Sequence, residues 1–222
     1  NKINEVFGNE NIKEISSLGV NENSELPSYN FSLKNQKDEN IAIAITKKGG
    51  HIVYFNCNRD VEEEKLSYED ANKKGLEFLN NLGINNMKET YYLNENGIIT
   101  INYAYNQDNV VMYPDLIKVK VALDNGEILG IETKGYLNNH QDRKISKNII
   151  SIEDAKKKLN KDLNIQSEGM AMIPTEFKTE ILCYEFKGKI NDSEFMVYIN
   201  AETGDEEDIL IVYNTPNGVL TM

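Results

Sequence analysis

The two histidines are the first candidates for catalytic or metal-binding chemistry in this sequence. His51 and His140 stand far apart, and neither belongs to an HExxH-type spacing or to a Cys/His cluster. We expect His51 at the start of a strand. We expect His140 and Arg143 to hydrogen-bond a polar connector to a neighbouring part of the fold. The pattern therefore predicts no metal site and no histidine-based acid–base catalysis.

Two acidic clusters could supply the paired carboxylates of a hydrolase, one at residues 62–64 and one at residues 205–208. Glycoside cleavage needs two carboxyl groups held across the scissile bond, one usually with a raised pKa. Adjacent carboxylates in a charged linker or a turn lack that burial, and no EF-hand spacing accompanies them. We interpret both clusters as solvated charge. Cation binding at residues 205–208 and a carboxylate pair assembled in three dimensions are the less favoured alternatives.

The cysteines and glycines fit structural positions. Cys57 and Cys183 are 126 positions apart, and each lies in an apolar run, where a free thiol behaves as a small core residue. The sequence does not decide whether they form a disulfide. Gly49-Gly50 and Gly204 match no phosphate-binding loop and suit hairpin turns. No serine stands in a nucleophile-elbow context, so we predict a chain that is not an enzyme, without catalytic residues, cofactor or metal.

The 12 tyrosines offer a further surface for binding. Aromatic side chains on an exposed sheet face could bind a glycan or a protein partner. We favour the interpretation that they pack under helices and between units, and the sequence does not identify partner-binding residues. Tyrosines in predicted strands are Tyr91, Tyr92, Tyr103, Tyr105, Tyr184 and Tyr198.

Composition limits the classes of partner. The formal net charge is −12 and the pI is near 4.7, so the chain repels nucleic acid and anionic lipid surfaces. No apolar run reaches the roughly 18–20 residues that a membrane span needs, and the residues from Asn1 onwards lack the apolar segment of a signal peptide. Because the sequence starts with Asn rather than Met, we expect a fragment of a longer protein.

Two stretches carry matching helix-start signals. Ser67 and Ser151 are good N-cap residues, and acidic residues follow each of them in the first turn. The first helix should run from Ser67 to Gly83, and the second should carry apolar residues as far as Leu163. We also expect the tail of a helix before Gly8 and one helical turn within a connector at residues 135–147.

Alternation of apolar and polar residues predicts the strands, with Gly49-Gly50 and Asp124-Asn125-Gly126 as hairpin turns. A polar turn around Gly188–Asp192 should join the tenth and eleventh strands, and residues 215–222 should form a tail. The predicted strands cover residues 12–16, 29–33, 41–46, 51–56, 89–93, 98–105, 116–123, 128–133, 170–173, 181–186, 195–199 and 209–213.

The helix-start signals define an internal repeat. Ser67-Tyr-Glu-Asp-Ala71 and Ser151-Ile-Glu-Asp-Ala155 are offset by 84 residues, and a run of strands with a late turn follows each. We predict an α+β protein of tandem units, each a helix packed on a small antiparallel β-sheet. The truncated first unit covers residues 1–60, the second unit with its connector residues 61–147, and the third unit residues 148–222.

This arrangement resembles the PepSY domain family. The S-x-E-D-A openings at Ser67 and Ser151, each followed by a small sheet with a late D-N-G or T-G-D turn, carry the general likeness. Longer runs, over essentially the whole chain, resemble the YpeB-type germination proteins of spore-forming bacteria. These runs are residues 45–51, 113–130, 182–188 and 198–206, together with Gly135-Tyr136-Leu137, His140 and Arg143.

The resemblance implies a function that the residues alone do not. It implies a non-catalytic spore germination protein needed, together with the cortex-lytic hydrolase SleB, for breakdown of the peptidoglycan cortex. Each of the two partners would depend on the other for accumulation in the spore. The implied location is the spore, outside the inner membrane, with an N-terminal membrane anchor outside this fragment and no membrane contact from the fragment itself. PepSY domains elsewhere resemble inhibitory modules of peptidase propeptides, so peptidase inhibition and direct peptidoglycan binding are the alternatives.

Overall fold

The computed structural model describes residues 2–8, 10–177 and 179–221, and it confirms a mixed α+β fold dominated by strands. The helices are α1 (Lys2–Phe7), α2 (Tyr68–Asn81), α3 (Lys134–Asn139) and α4 (Ile152–Lys156). The strands are β1 (Ile12–Asn21), β2 (Ser28–Asn35), β3 (Asn40–Thr46), β4 (Ile52–Cys57), β5 (Met87–Glu95), β6 (Ile98–Gln107), β7 (Val110–Ala122), β8 (Ile128–Glu132), β9 (Asn164–Pro174), β10 (Glu180–Ile190), β11 (Ser193–Asn200), β12 (Glu206–Thr215) and β13 (Gly218–Thr221).

Helix α2 forms where its sequence signals predict it. The Ser67 side chain accepts a hydrogen bond from the Asp70 backbone N–H at 3.1 Å, and the Asp70 carboxylate accepts one from the Ser67 N–H at 3.4 Å. This capping box satisfies two of the unpaired donors of the first turn. Gly83 follows the helix with a φ of +79°, a left-handed conformation that favours glycine. The face of α2 that carries Ala71 and Leu79 is fully buried against the sheet.

Helix α4 begins at the predicted Ser151 cap but ends at Lys156, so the expected helix to Leu163 is wrong in its length. The Asn160 side chain accepts a hydrogen bond from the Asp162 N–H, and its carbonyl accepts one from the Leu163 N–H. Such local bonds offer the backbone an alternative to helix continuation. Leu159 is nonetheless buried under the loop that replaces the helix.

Several strands extend beyond their predicted bounds because pairing partners continue them. β9 begins at Asn164 rather than at residue 170, since its first residues pair with the end of β10. Gly188 lies inside β10, so the predicted turn around Gly188–Asp192 narrows to Asn191 and Asp192. The predicted tail at 215–222 contains the short strand β13 within its described part, while Met222 lies outside the described residues.

The strands follow one hydrogen-bonded order: β1-β2-β3-β4-β8-β7-β6-β5-β13-β12-β11-β10-β9. Neighbouring strands in this order are antiparallel. One additional pairing is parallel and links the predicted second and third units: Val110–Met112 of β7 pairs with Met170–Met172 of β9. Strand β7 is long enough to pair with three strands. It pairs with β6 along one edge, and with β9 and β8 at opposite ends of its other edge.

The β7–β9 pairing closes part of the strand order into a ring. Starting from β7, the ring passes through β6, β5, β13, β12, β11, β10 and β9 and returns to β7. The link between β13 and β5 is short, with Gly218 opposite Leu93 and Val219 opposite Tyr92. A Cβ at Gly218 would overlap the Tyr92 carbonyl, so this close approach requires glycine.

The core has three parts. One cluster lies between α2 and the sheet, around Ile43, Ile101 and Val119. A second lies under α4, around Met112 and Phe186. The third lies inside the ring of strands, and its buried members are Ala104, Val111, Ala171, Ile173, Cys183 and Tyr198.

Candidate functional site

His51 and the two acidic clusters predicted from the sequence lie on the surface. His51 is exposed directly before β4, where its N–H donates to Thr46 Oγ1 at 2.9 Å. The acidic clusters at residues 62–64 and 205–208 are exposed, which confirms that they are solvated. No three His, Cys, Asp or Glu residues within residues 2–8, 10–177 and 179–221 come together as metal ligands.

Cys57 and Cys183 are buried free thiols, as expected for core cysteines. Burial raises the pKa of Cys57 to about 11, and burial also raises the pKa of Cys183 to about 12. At neutral pH both are protonated, and a protonated thiol is a poor nucleophile.

A buried ionic cluster, here called the junction network, joins the connector after α3 to β7 and β10. The Arg143 guanidinium donates to both carboxylate oxygens of Asp115, at 3.0 and 2.7 Å, and to both oxygens of Glu180, at 2.6 and 2.7 Å. The Asp115 side chain is fully buried and that of Arg143 is 5% exposed. The bonds to these carboxylates, first of all Glu180, raise the Arg143 pKa further above its ordinary value. The network confirms the predicted role of Arg143 in fixing the connector.

His140 completes the junction network. Its Nδ1 lies 2.9 Å from Asp115 Oδ2, and its ring stacks on Tyr136 at 4.1 Å and meets Tyr105 edge-on at 4.6 Å. The single positive charge of Arg143 balances only one of its two carboxylate partners, but its hydrogen bonds reach both of them. These bonds hold the connector against β7 and β10.

The predicted packing of the tyrosines is confirmed for five of the six strand residues, while Tyr91 lies at the wall of a cavity described below. Tyr103 is fully buried against α2, where its hydroxyl donates to Asn72 Oδ1 at 2.9 Å. Tyr92 packs on the same cluster, and Tyr105 and Tyr184 pack on the one under α4. Tyr198 lies inside the ring of strands.

The ring of strands encloses a space of about 260 Å³, here called the inter-sheet cavity. Strands β5, β7 and β9 to β13 contribute its walls. Tyr113 and Tyr198 meet in its wall, with ring centroids 6.1 Å apart in an edge-to-face arrangement. Behind them the Tyr113 hydroxyl donates to Glu185 Oε2 at 2.7 Å. Burial, and then the Glu185 charge, raises the Tyr113 pKa well above its ordinary value of 10.

Strand β1 pairs only with β2 among the described strands, and its other side is here called the free edge. Its exposed apolar side chains are Ile15 at 49%, Leu18 at 65% and Val20 at 45% exposed. Tyr29 on the neighbouring β2 is 43% exposed. Lys13 and Glu14 place charge near the start of the strand, while residues 15–20 contain none.

A free edge of this composition has a specific binding chemistry. Its unpaired N–H and C=O groups can add a further strand, and exposed side chains beside them select the partner. Natural proteins usually protect such edges with charge or bulges. A register shift between Ser17 and Gly19 gives partial protection, because it interrupts the ladder around Leu18.

Sequence reasoning did not identify which strand edge is free or where the inter-sheet cavity lies. The run Ile12–Ser16 was predicted as a strand, but nothing in its residues shows that one side would stay unpaired. The cavity depends on the β7–β9 and β13–β5 pairings, which join residues far apart in the chain.

The described helices include none long and apolar enough to cross a membrane.

Comparison with protein families assigns almost the whole chain. Residues 1–146 match the family described as YpeB sporulation, PepSY1 and PepSY2 domains. Residues 149–210 match the family described as Peptidase propeptide and YPEB domain.

Curated relatives agree with these families. Proteins named sporulation protein YpeB are similar to the chain in Halalkalibacterium halodurans, at 39% identity over 74% of the chain, and in Bacillus subtilis, at 37% identity over 82% of it. The chain spans 37% and 41% of the length of these two relatives. Among solved structures, the Bacillus megaterium YpeB C-terminal domain matches with a TM-score of 0.85 at 27% identity, covering 96% of this chain and 95% of that one.

Proposed function

The chain belongs to the YpeB family of sporulation proteins, and from that premise we propose that it is a non-catalytic germination protein that binds the cortex-lytic hydrolase SleB. In this proposal it acts in the spore, outside the inner membrane, as part of a longer membrane-anchored protein. It stabilises, localises or restrains the hydrolase without taking part in cortex cleavage. A sporulation role follows from the named relatives, while the partner and the mechanism are our proposal.

The predicted units at residues 1–60, 61–147 and 148–222 remain a prediction. Strand pairing runs across both boundaries, since β4 pairs with β8, and β13 and β9 pair with β5 and β7. We propose that the units act as one rigid scaffold that presents the free edge.

The free edge carries the proposal. Six consecutive uncharged residues, from Ile15 to Val20, present backbone groups and apolar side chains in a chain of net charge −12. An extended segment of the hydrolase would add to β1 as a further strand on one side of the bulge at Leu18. Main-chain hydrogen bonds would give affinity, and contacts with Ile15 and Val20 would give specificity.

Co-purification of the chain with the hydrolase tests the proposal. Ile15→Lys and Val20→Lys place a charge beside the free edge, and we expect either change to abolish a stable complex. Ile209→Lys is the matched control, because Ile209 lies on β12 and is 46% exposed, close to the 49% of Ile15. A complex that survives both β1 changes, or fails equally with the Ile209→Lys control, would overturn binding through the free edge.

Residual lytic activity of the complex separates the three modes of action. Suppressed cortex cleavage would identify restraint of the hydrolase. Full activity with slower degradation of the hydrolase would identify stabilisation, and full activity with unchanged lifetime would leave localisation.

The match of residues 149–210 to a family that includes peptidase propeptides favours a second candidate, a peptidase-inhibitor module. It predicts that purified chain lowers the activity of a spore peptidase in proportion to its concentration.

Direct peptidoglycan binding is the third candidate. Tyr54, 38% exposed, lies with Asn56 and Lys120 along a cleft of about 320 Å³, a combination of aromatic and polar groups suited to a glycan. A cortex pull-down that Tyr54→Ala weakens would support it.

A further inference from the structure

The inter-sheet cavity is a half-open pocket whose size suits a single small group. Its volume of about 260 Å³ lies just below the roughly 300–1,000 Å³ of pockets that hold drug-sized ligands. Leu116, Ile173, Met196 and Val212 provide apolar wall, and Val219 of β13 closes one side. A ligand that fits is therefore small or is one long side chain, and part of it is apolar.

Two tyrosine hydroxyls in the cavity wall can act as hydrogen-bond acceptors. The Tyr113 hydroxyl donates its hydrogen bond to Glu185, and the Tyr198 hydroxyl donates to the Met196 sulfur. Each hydroxyl retains oxygen lone pairs, and the bond to a carboxylate strengthens Tyr113 as an acceptor. The matching ligand group is a hydrogen-bond donor.

Charge in and behind the wall favours a cationic donor. Lys187, which lines the cavity, is neutralised by Glu194 at 2.7 Å. Glu185, half-buried behind the wall, forms no ion pair with any residue of the described ranges, and the exposed Asp208 adds a second negative charge at the cavity. A carboxylate withdrawn from water without a counter-ion is unfavourable, and aromatic faces such as those of Tyr91, Tyr113 and Tyr198 attract cations.

We propose that the inter-sheet cavity binds an alkylammonium group, with the nitrogen at Tyr113 and the apolar stem along Met196 and Leu116. The same chemistry has two sources: a free small amine, or the lysine side chain of a protein partner. The proposal goes beyond partner binding at the free edge and does not depend on it, because the two sites lie on different strands.

Methyl NMR of labelled methionines tests the proposal directly. Met196 lines the cavity, whereas Met112 is fully buried under α4 and serves as an internal reference for the fold. We expect n-butylammonium to shift the Met196 methyl signal saturably and to leave that of Met112 in place. n-Butanol, which has the same stem without the charge, should bind about tenfold more weakly or worse, since hydrogen bonds to charged groups are worth about 1.5–3 kcal/mol.

Two variants assign the binding to this site. Glu185→Gln keeps the size of the side chain and removes its charge, and it should weaken butylammonium binding about tenfold. Glu206→Gln, on the exposed start of β12, is the control and should leave binding unchanged. If Glu185→Gln shifts the Met112 signal and so perturbs the fold, Tyr113→Phe removes the acceptor oxygen instead and should weaken binding similarly.

Equal binding of butanol and butylammonium, an unmoved Met196 signal, or full affinity in a correctly folded Glu185→Gln or Tyr113→Phe variant would overturn the proposal. A capped lysine that binds more tightly than butylammonium would assign the site to a partner side chain, and the reverse order would assign it to free amines. Ile15→Lys should leave amine binding intact, so failure at the free edge and failure at the cavity are distinguishable.

Discussion

At the scale of single residues, Arg143 has the most demanding environment in the molecule. It is one of few buried cations, and its two carboxylate partners come from strands on either side of the connector. A buried ion pair often contributes little net stability, but removing one partner leaves an uncompensated charge. Replacing Arg143 alone should therefore lower the free energy of unfolding by far more than the ion pairs of Arg143 add to it.

Arg143→Met should lower the free energy of unfolding by about 3–5 kcal/mol, because Asp115 would stay fully buried without a cation. Chemical denaturation measures the change. Arg143→Met combined with Asp115→Leu and Glu180→Gln should recover much of the loss, since no unpaired buried charge remains. A loss as large in the triple variant as in Arg143→Met would show that packing, not charge, explains the effect.

Asp124 gives the molecule a pH dependence of known sign. Its carboxylate accepts two bonds from Arg59, at 2.7 and 2.9 Å, and the hydrogen bond from Arg59 lowers its pKa below 3.8. A lowered native pKa adds stability above the unfolded pKa of about 3.9, and that stability disappears as the pH falls through the native pKa.

Asp124→Asn should therefore destabilise the chain at neutral pH, and the difference from the unchanged protein should shrink once the pH falls below about 3.9. Thermal unfolding as a function of pH measures this convergence. Asp205→Asn removes one carboxylate from an exposed turn and is the control, and it should change stability at neutral pH less than Asp124→Asn. A gap between Asp124→Asn and the unchanged chain that persists in acid would contradict the assignment.

At the scale of elements, α2 shows how one residue fits a helix to its sheet. Gly75 lies on the buried face of the helix, and a Cβ there would overlap the hydroxyl of Tyr103 on β6. Glycine costs a helix interior roughly 0.5–1 kcal/mol relative to alanine. The close approach of helix and tyrosine is the reason that glycine serves here.

Gly75→Ala should destabilise the protein by about 1–3 kcal/mol, reversing the usual helix preference, because the added methyl overpacks against Tyr103. Lys73→Ala, on the exposed face of the same helix, should be nearly neutral. Gly75→Ala combined with Tyr103→Phe should recover part of the loss, as the clashing hydroxyl is gone. Denaturation midpoints of the three variants measure these changes in stability. A Gly75→Ala variant that is more stable than the unchanged protein would show that Tyr103 does not require glycine at this position.

The elements divide into those that local chemistry determines and those that it does not. Ser67, Gly83 and the Gly49-Gly50 turn act on their nearest neighbours, and the α2 helix and the β3–β4 hairpin lie where they were predicted. α4 stops early because Asn160 accepts hydrogen bonds from the backbone N–H groups of Asp162 and Leu163, a local effect that the apolar spacing to Leu163 concealed. β13 and the first part of β9 depend on distant strands, which the sequence pattern does not specify.

The same distinction applies to the candidate site. His140 and Arg143 were predicted to fix the connector because polar residues of those types need partners when a connector is drawn into the fold. Their actual partners, Asp115 and Glu180, lie 28 and 37 positions from Arg143. No sequence spacing identifies such pairs. Glu185 and Tyr113, 72 positions apart, were missed for the same reason.

At the scale of the whole molecule, the strands connect the predicted second and third units at three places. These are the β7–β9 pairing, the β13–β5 pairing and the junction network. All three need both units to be folded, so each unit stabilises the other.

We therefore expect residues 61–221 to unfold in one cooperative transition. Hydrogen exchange would show this single transition as equal opening free energies for the central amides of β6 and β10. Gly218→Val breaks the β13–β5 approach and should lower the opening free energies of β6 and β10 together. Gly169→Val is its control, since a Cβ at Gly169 meets no atom within 4 Å. Widely different opening free energies in the unchanged chain would show that the units are independent.

The closure of the strand ring also bears on how such a protein can grow by gene duplication. A copy of the third unit could not be appended beside the original by strand pairing, because β9 is already held by β7 and β13 by β5. Such a copy would first have to break one of these two pairings and so open the ring. At the other end of the strand order, β1 still has room for a neighbour. Lineages that lengthen this fold should therefore do so at the β1 side, while the ring keeps a constant number of strands.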